Sequence, residues 1–198
     1  MRTVILGSGT GSNCKSLLES QASNNLGSAK IVAIFSDIED SGILEVGRHF
    51  GIKSVYLGPY NISPDTHGES DHEWISAVDQ EKPDLIVLAG FMRILSSYFI
   101  NFFGSRIINL HPSLLPSFKG LNAINQAWEE GVKITGCTVH WVSRHLDMGK
   151  IIDQRAVRIS SEDSLDSLIR KVHIAEHFLL PTVVENIAKG THTFPYCD

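Results

Sequence analysis

Unbroken apolar runs, separated by segments with helical patterns, constrain the fold of this chain more than any other feature. Residues 3–7, 31–36 and 84–89 lack the polar–apolar alternation of a strand with one solvated face, so each is predicted to be buried on both faces. Because strands that alternate with helices form parallel sheets with right-handed crossovers, the sequence predicts an α/β, Rossmann-like, mostly parallel twisted sheet with helices on both faces. The other elements expected in this half are helices from residue 14 and over 42–50, 72–80 and 98–103, strands over 54–57 and 106–110, and a mobile loop at 58–70.

The second half of the chain departs from this alternation. After a helix over residues 123–130, two strands at 134–142 and 151–157 are joined by a short connection, which predicts an antiparallel C-terminal extension of the sheet. Ser161, followed by two acids, predicts the start of a last long helix, and Pro181 is expected to kink that helix or to start a short final one. With 198 residues and no repeat or linker, the chain is predicted to form a single domain.

Composition and charge exclude several function classes. A net charge of −5 and an isoelectric point near 6.0 argue against a general nucleic-acid-binding surface. No run approaches the roughly 20 apolar residues that a membrane helix needs. Cys14, Cys137 and Cys197 are far apart and include no Cys-x-x-Cys, which is typical of reduced thiols. We therefore expect a cytoplasmic protein with no nucleic-acid or membrane partner.

A glycine-rich turn follows the first predicted strand. Residues 8–13 (Ser-Gly-Thr-Gly-Ser-Asn) lead into a helix, and such a turn binds anions because helix-start amides point outward and glycines let a phosphate approach. The spacing also approximates the dinucleotide-binding fingerprint, although Ser12 stands where its third glycine is expected, and Asp37 could serve as the ribose-binding acid. A phosphate site, a nicotinamide-dinucleotide module and a turn without a ligand all stay open here.

The strand predicted at 106–110 delivers a second polar constellation. Pro112 removes a backbone donor and ends the strand. Asn109 and His111 lie two residues apart, so their side chains share one face. Ligands of open α/β sheets bind where strands end, and this pair combines an amide donor with a group that gains or loses a proton near neutrality. An arbitrary Asn-x-His-Pro is also compatible with a simple hydrogen-bonded turn.

Asp147 is a candidate partner for His111. It lies in the connection of residues 143–149, at the end of the predicted hairpin, where a carboxylate could orient the imidazole and stabilise its charged form. Taken alone, an aspartate at this position is more often a turn residue, and His140, in an otherwise apolar strand, is by default a core histidine with its hydrogen bonds satisfied.

His173, Glu176 and His177 match the His-x-x-Glu-His pattern of certain zinc peptidases. Those enzymes need a further carboxylate ligand well downstream, and too few residues follow His177, so zinc is disfavoured. Glu176 falls on or beside the apolar stripe of this helix, where a carboxylate is costly unless it is paired or binds something polar. A solvated position at the edge of the stripe is the alternative.

Five stretches of the sequence occur in the order found in one enzyme family. They are residues 9–13, 88–95, 108–116, 136–142 and 146–149, and they extend across nearly the whole chain. Together they resemble the folate-dependent glycinamide ribonucleotide (GAR) formyltransferases of purine synthesis. The piece Asn-Leu-His-Pro-Ser-Leu-Leu-Pro at 109–116, with Leu-Asp-Met-Gly after it, is specific for formyl transfer from 10-formyltetrahydrofolate, and the short N-terminal glycine turn indicates the GAR branch.

The resemblance implies a reaction and a set of site residues. The formyl group would pass from 10-formyltetrahydrofolate, the co-substrate, to the amine of GAR without a metal. Asn109, His111 and Asp147 would be catalytic. The residues expected to bind GAR are Gly11, Ser12, Asn13, Pro112 and Glu176. Those expected to bind folate are Met92, Arg93, Ile94, Leu95, Asn109, His140, Ser143, Leu146 and His67.

The same resemblance implies an organisation of the chain. Residues 1–198 would form one formyltransferase domain, with a phosphate-binding half at about 1–110 and the catalytic loop, folate pocket and C-terminal helix at about 111–198. Its partners would be the small molecules GAR and folate, and the protein would be a monomer or a homodimer.

Several positions depart from the family pattern. Arg144 and His145 stand where acids are usual, Asn122 where His is usual, Lys119 where Pro is usual, and His67 where an Arg is expected near the folate tail. These changes leave the predicted catalytic residues intact but bear on the substrates. A formyltransferase of the same mechanism acting on another phosphorylated or nucleotide-linked amine is therefore the first alternative, and a non-catalytic dinucleotide-binding module is the second.

Overall fold

Seven strands and six α-helices make up the part of the chain that the computed structural model describes, residues 1–60 and 69–192, without the side chains of residues 69 and 70. A 3₁₀ turn, Gly104–Arg106, precedes the fifth strand. In chain order the elements are β1 (Arg2–Leu6), α1 (Ser12–Ala22), β2 (Lys30–Ser36), α2 (Gly42–His49), β3 (Lys53–Tyr56), α3 (Glu69–Gln80), β4 (Leu85–Leu88), α4 (Ser97–Phe103), β5 (Ile107–His111), α5 (Ala123–Glu129), β6 (Ile134–Trp141), β7 (Ile151–Arg158) and α6 (Leu165–Ala188).

The strands form one sheet in the order β3-β2-β1-β4-β5-β6-β7. The pairs from β3 to β5 are parallel, and β6 and β7 add to that sheet in antiparallel orientation. The predicted fold class is therefore confirmed. The strand order reverses between β1 and β4, and in open α/β sheets a ligand crevice lies outside the carboxyl ends of the strands at such a point. The glycine turn follows β1, and residues 89–95 follow β4.

Apolar side chains pack on both faces of this sheet. On β1, Ile5 belongs to one core cluster while Val4 and Leu6 belong to the other, as the alternation of side chains along a strand requires. The first cluster includes residues of α1, α2, α5 and α6, and the second includes residues of α3 and α4. All four residues of β4 are buried, which explains the absence of polar alternation in its sequence.

The last helix differs from its prediction at two points. Its N-cap is Ser164 rather than Ser161, because Ser164 and Ser167 exchange hydrogen bonds in a capping box. The helix also continues through Pro181 to Ala188 as a single element. Leu179 and Leu180 on one side of the proline, and Val183 and Val184 on the other, are all buried. The packing of both halves against the sheet thus offsets the hydrogen bond that proline removes.

Two further observations complete the fold. Helix α3 begins at Glu69, earlier than predicted, and most of the loop expected at 58–70 lies outside the described residues. Among the helices described, none is long and apolar enough to cross a bilayer.

Candidate active site

The end of β5 carries an amide and an imidazole on one face, as predicted. Asn109 pairs in register with His140 of β6, and its Nδ2 lies 3.2 Å from His140 Nε2. The other ring nitrogen of His140, Nδ1, lies 2.9 Å from the carbonyl oxygen of Trp141. Because a carbonyl only accepts, Nδ1 carries the proton and Nε2 accepts from the Asn109 amide. His140 therefore fixes the orientation of the Asn109 amide and leaves its second N–H for another acceptor.

His111 is held between the main chain of the following loop and a carboxylate. Its Nε2 lies 2.8 Å from the carbonyl oxygen of Phe118, and its Nδ1 lies 3.4 Å from Oδ2 of Asp147. Both ring nitrogens thus face oxygen acceptors, an arrangement that suits the doubly protonated imidazolium. The contact between His111 and Asp147 that we predicted is present.

Asp147 is a buried carboxylate that lies close to one backbone N–H and to two histidine rings. The Gly120 N–H donates to Oδ2 at 2.9 Å, and Oδ1 lies 3.6 Å from His140 Nε2. Burial raises the pKa of Asp147, but the neighbouring His140, the Gly120 N–H and the attraction of His111 together hold that pKa below its ordinary value. The carboxylate is therefore ionised at neutral pH.

The backbone around Asp147 is specialised. Asp147 has a φ of 50°, in the left-handed region that aspartate adopts more readily than most residues. At Gly149, an added Cβ would lie 1.6 Å from the carbonyl oxygen of Trp141, the acceptor of the His140 Nδ1 proton. The glycine of the Leu-Asp-Met-Gly piece is therefore required for the close approach of two backbones.

The glycine turn and the last helix meet at a second cluster. Gly11 has a φ of 82° and a Cβ there would lie 2.6 Å from Ile43 Cα, so this position needs glycine. Helix α1 begins at Ser12, and the N–H groups of a first helical turn have no partner within the helix. Asn13 Nδ2 donates to Glu176 Oε2 at 2.9 Å. The turn thus combines outward backbone donors with a fixed carboxylate.

Glu176 is buried, with 4% of its surface exposed, so the alternative of a solvated edge position is wrong. Burial raises the pKa of this carboxyl, against the opposing effects of the Asn13 amide and of His173. A cleft of about 500 Å³ continues from Ser12 between α1 and α6, lined also by His177 and Phe178. Among the described residues, no group of three or more His, Cys, Asp or Glu side chains is placed to hold a metal.

Asp37 does not have the role that a dinucleotide-binding module requires. Its Oδ1 accepts from Ser8 Oγ at 2.6 Å, and its Oδ2 accepts from Arg93 Nε at 2.6 Å. The side chain of Asp37 is fully buried. Both oxygens are thus engaged inside the protein, and the interpretation of Asp37 as a ribose acid is wrong. Ser8 Oγ also accepts from the Met92 N–H at 2.9 Å, so this cluster joins the glycine turn to the segment after β4.

The residues predicted to bind folate lie on segments adjoining β5. Met92, Ile94 and Leu146 expose 63%, 50% and 53% of their surface, which is high for large apolar side chains, whereas Leu95 and His140 are buried. Three further positions are accounted for as follows: Arg93 is held by Asp37, Ser143 Oγ donates to the His145 carbonyl oxygen at 3.0 Å, and His67 lies outside the described residues.

The departures from the family pattern lie around this region. Arg144 Nη2 donates to Asn101 Oδ1 of α4 at 2.8 Å and so fastens the 143–149 segment to that helix. Lys119 is exposed, and Asn122, with a φ of 58°, is the residue before α5. Pro112 is half-buried beside His111. None of these side chains separates the catalytic candidates from one another.

Thiol chemistry is not supported at this site. Cys14 and Cys137 are free and buried, and burial raises the pKa of each thiol to about 12. Neither forms an appreciable thiolate at neutral pH, so neither is activated as a nucleophile.

Comparison with known proteins identifies the family. The formyl transferase family model matches residues 1–184. The chain belongs to the formyl transferase family. Among its relatives, phosphoribosylglycinamide formyltransferase of Escherichia coli (strain K12) is 37% identical over 190 residues, a match that covers 96% of this chain and 88% of that protein.

Two further relatives of this formyl transferase extend the comparison. The human trifunctional purine biosynthetic protein adenosine-3 is 39% identical over 194 residues, and the match covers 96% of this chain but 18% of that much longer protein. The crystal structure of phosphoribosylglycinamide formyltransferase from Anaplasma phagocytophilum superposes with a TM-score of 0.88 at 39% identity, and covers 100% of this chain and 91% of that one. The predicted family is therefore confirmed.

Proposed function

We propose that this formyl transferase moves the formyl group of 10-formyltetrahydrofolate to the amine of 5′-phosphoribosylglycinamide in de novo purine biosynthesis. The observation that carries the proposal is the contact of His111 Nδ1 with Asp147 Oδ2 at 3.4 Å, beside Asn109. This arrangement meets the needs of acyl transfer, and it lies on the strand next to the switch point where a phosphorylated substrate would bind.

GAR would lie between the glycine turn and β5. Its phosphate would accept hydrogen bonds from the backbone at Gly11, Ser12 and Asn13, and the helix dipole of α1 favours that charge. Glu176 would accept from the ribose hydroxyls, and its hydrogen bond from Asn13 ties the two subsites together. Pro112 would border the glycinamide, whose amine then faces Asn109 and His111.

The folate would lie between the segment after β4 and the 143–149 segment, which flank the end of β5. The exposed apolar side chains of Met92, Ile94 and Leu146 would pack on its ring system, and Leu95, His140 and Ser143 would complete the wall. Arg93 contacts Asp37 through Nε, so its terminal nitrogens would be the donors offered to folate at this rim. The contribution of His67 stays a prediction.

The chemistry follows from the fixed orientations at β5. As the GAR amine attacks the formyl carbon, charge grows on the formyl oxygen, and the second N–H of Asn109 would donate to it. The Nδ1–H of protonated His111 would be the other donor, because 3.4 Å is long for a charge-assisted bond to Asp147 and leaves that hydrogen open to sharing. Each such donor contributes about 3–4 kcal/mol in comparable sites.

Asp147 would stabilise the imidazolium and assist the proton transfer. The new C–N bond to GAR forms as the bond from the formyl carbon to folate N10 breaks, so the amine loses one proton and N10 gains one. The Asp147 carboxylate, ionised and next to His111, would accept the amine proton, directly or through water, and return it to N10.

The decisive experiment is an assay of formyl transfer with purified protein. GAR and a panel of other phosphorylated or nucleotide-linked amines would each be incubated with 10-formyltetrahydrofolate, and product would be followed by mass spectrometry. GAR is expected to have the highest kcat/KM. Faster transfer to another amine would replace GAR as the substrate, and no transfer to any amine would overturn the proposal.

The cellular location and the oligomeric state are also part of the proposal. The free, buried thiols of Cys14 and Cys137 agree with a cytoplasmic location, which stays a prediction. The single domain of residues 1–198, and its state as a monomer or homodimer, likewise stay predictions that size-exclusion chromatography with light scattering would address.

A further inference from the structure

A row of side chains crosses the antiparallel part of the sheet beside His111. Thr138 of β6 is in register with both His111 of β5 and Gln154 of β7, so the three side chains share one face. Gln154 Nε2 donates to Thr138 Oγ1 at 2.9 Å and to the carbonyl oxygen of Leu115 at 2.9 Å. A residue of the edge strand thus reaches the loop that follows His111.

The hydroxyl of Thr138 uses all of its hydrogen-bonding capacity in this row. It donates to the carbonyl oxygen of Ser113 at 2.7 Å, and it accepts from the Leu115 N–H at 3.1 Å and from Gln154. The loop is therefore tied to the sheet at Ser113 and twice at Leu115, and one of these three bonds comes directly from Gln154.

The loop that Thr138 and Gln154 hold, residues 113–118, ends at the carbonyl group that accepts a hydrogen bond from the His111 ring. Ser113 Oγ donates to the carbonyl oxygen of Ser117 at 2.5 Å, and the next carbonyl, that of Phe118, accepts from His111 Nε2 at 2.8 Å. The Phe118 bond fixes the rotation of the imidazole. That rotation in turn decides whether Nδ1 faces Asp147 and the cleft.

We propose that Gln154 is a positioning residue for His111 in formyl transfer. It acts through the 113–118 loop, which presents the Phe118 carbonyl to Nε2, and it does not itself contact substrate. The inference rests on the proposed function, since it assigns Gln154 a part in the same reaction. It also explains why an exposed edge-strand residue spends both hydrogens of its amide on the protein.

Removal of the Gln154 amide is expected to affect geometry more than stability. Gln154 lies on an exposed edge, where water can replace it as a donor to Leu115 and Thr138. Water satisfies those acceptors without fixing the loop in one place. The His111 ring is then aligned for only part of the time, and small misplacements of a reacting group are costly in rate.

The test compares three full-length variants with the wild-type protein. Gln154→Ala deletes the amide. Gln154→Glu keeps the size but places acceptors against the Leu115 carbonyl, so it should not rescue. Val157→Ala changes a core residue of the same strand that pairs with Thr135 and lies on the opposite face of the sheet from Gln154, so it is the matched control for general loosening of β7. The readouts are kcat, KM, thermal stability, and the ¹H–¹⁵N signal of His111 Nε2 by NMR.

The expected result is a fall in kcat of about 10- to 100-fold for Gln154→Ala and Gln154→Glu, with KM for both substrates changed by less than about threefold. The Nε2 signal of His111 should shift or broaden in these two variants, whereas Val157→Ala should lose stability and keep both its signal and its kcat.

Either of two results would overturn the proposal: a kcat in Gln154→Ala equal to that of Val157→Ala, or an unchanged Nε2 signal. The NMR readout needs no turnover. If the wild-type protein transfers no formyl group, the proposed function fails, while a shifted Nε2 signal would still show that Gln154 positions the ring.

Discussion

At the scale of single residues, Glu176 combines a cost to stability with a proposed use in binding. Burial raises the pKa of this carboxyl, so the folded protein binds its proton more tightly than the unfolded chain does. Below the ordinary carboxyl range both states hold the proton and nothing is lost. As the pH rises through the raised pKa, the folded state must ionise a buried group, and stability falls.

Glu176→Gln should therefore stabilise the ligand-free protein at neutral pH and flatten this part of its pH dependence. The amide oxygen can still accept from Asn13, so the local structure is kept. The same change should raise KM for GAR with little effect on kcat, since ribose contacts act equally in the ground and transition states. Denaturant unfolding between pH 4 and 8 and Michaelis kinetics measure the two effects. A variant less stable than wild type at pH 7, or one with a collapsed kcat and normal KM, would contradict this assignment.

His111 and Asp147 should behave as one unit. His111→Ala and Asp147→Asn are each expected to lower kcat by about 100-fold or more, and the double variant should be scarcely worse than either. Asp147→Asn keeps the shape but removes a charge that favours the imidazolium, so the surviving activity should have its pH optimum at a lower pH. A double-variant cycle over a pH series tests both points, with Asn109→Ala as a separate arm. Simple additivity, or an active protein without His111, would refute the shared role.

At the scale of the elements, Gly149 shows how the turn between β6 and β7 serves the site. A methyl group there would meet the Trp141 carbonyl oxygen, which holds the His140 ring. Gly149→Ala is expected to destabilise the protein by about 1–3 kcal/mol and to lower kcat, because His140 orients Asn109. Thermal unfolding and kinetics give the two values. Gly9→Ala, where an added Cβ meets nothing within 4 Å, is the stability control. Equal stability of the two variants would show that the turn relaxes freely.

The elements also show which parts of the structure can be predicted from sequence. The strand that carries Asn109 and His111 can be predicted because an apolar run ends at a proline, and that pattern depends only on local backbone rules. The N-cap at Ser164 rather than Ser161 cannot be predicted in this way. Each is a serine near acidic residues, and only the reciprocal hydrogen bonds with Ser167 distinguish Ser164. Continuation of α6 past Pro181 depends on packing across the sheet, which no local pattern encodes.

The same distinction applies to the residues of the candidate site. Asp147 can be proposed from the sequence as the partner of His111, because a carboxylate and an imidazole are identified by residue type as an ionisable pair. The Phe118 carbonyl and the Gly120 N–H, which complete the surroundings of His111 and Asp147, are main-chain groups, and every residue type except proline carries both. The engagement of Asp37 by Ser8 and Arg93 depends on three segments distant in sequence, so the ribose-acid interpretation was reasonable locally and wrong in three dimensions.

At the scale of the whole molecule, the burial of Asp37 favours a phosphate site over a dinucleotide site at the glycine turn. A dinucleotide needs an acceptor for its ribose hydroxyls, and both oxygens of Asp37 are occupied. We expect NAD to bind no more tightly than inorganic phosphate, and GAR to bind more tightly than either. Isothermal titration with the three ligands gives the comparison. Asn13→Ala should weaken GAR binding, because it removes the hydrogen bond to Glu176, and should leave phosphate binding nearly unchanged, because the backbone donors stay in place. Saturable, tight binding of NAD would restore the dinucleotide alternative.

The hydrogen bonds from the 118–120 segment to His111 and Asp147 have a consequence for how this protein can change over evolutionary time. Because the segment contributes a carbonyl and an N–H rather than side chains, substitutions at positions such as Lys119 can accumulate while the surroundings of the imidazole stay the same. Alignments that score residue identity will undervalue this stretch, and drift within it is poor evidence of a new activity. What natural selection must preserve here is the path of the chain, and that path is set partly by residues far away in the sequence.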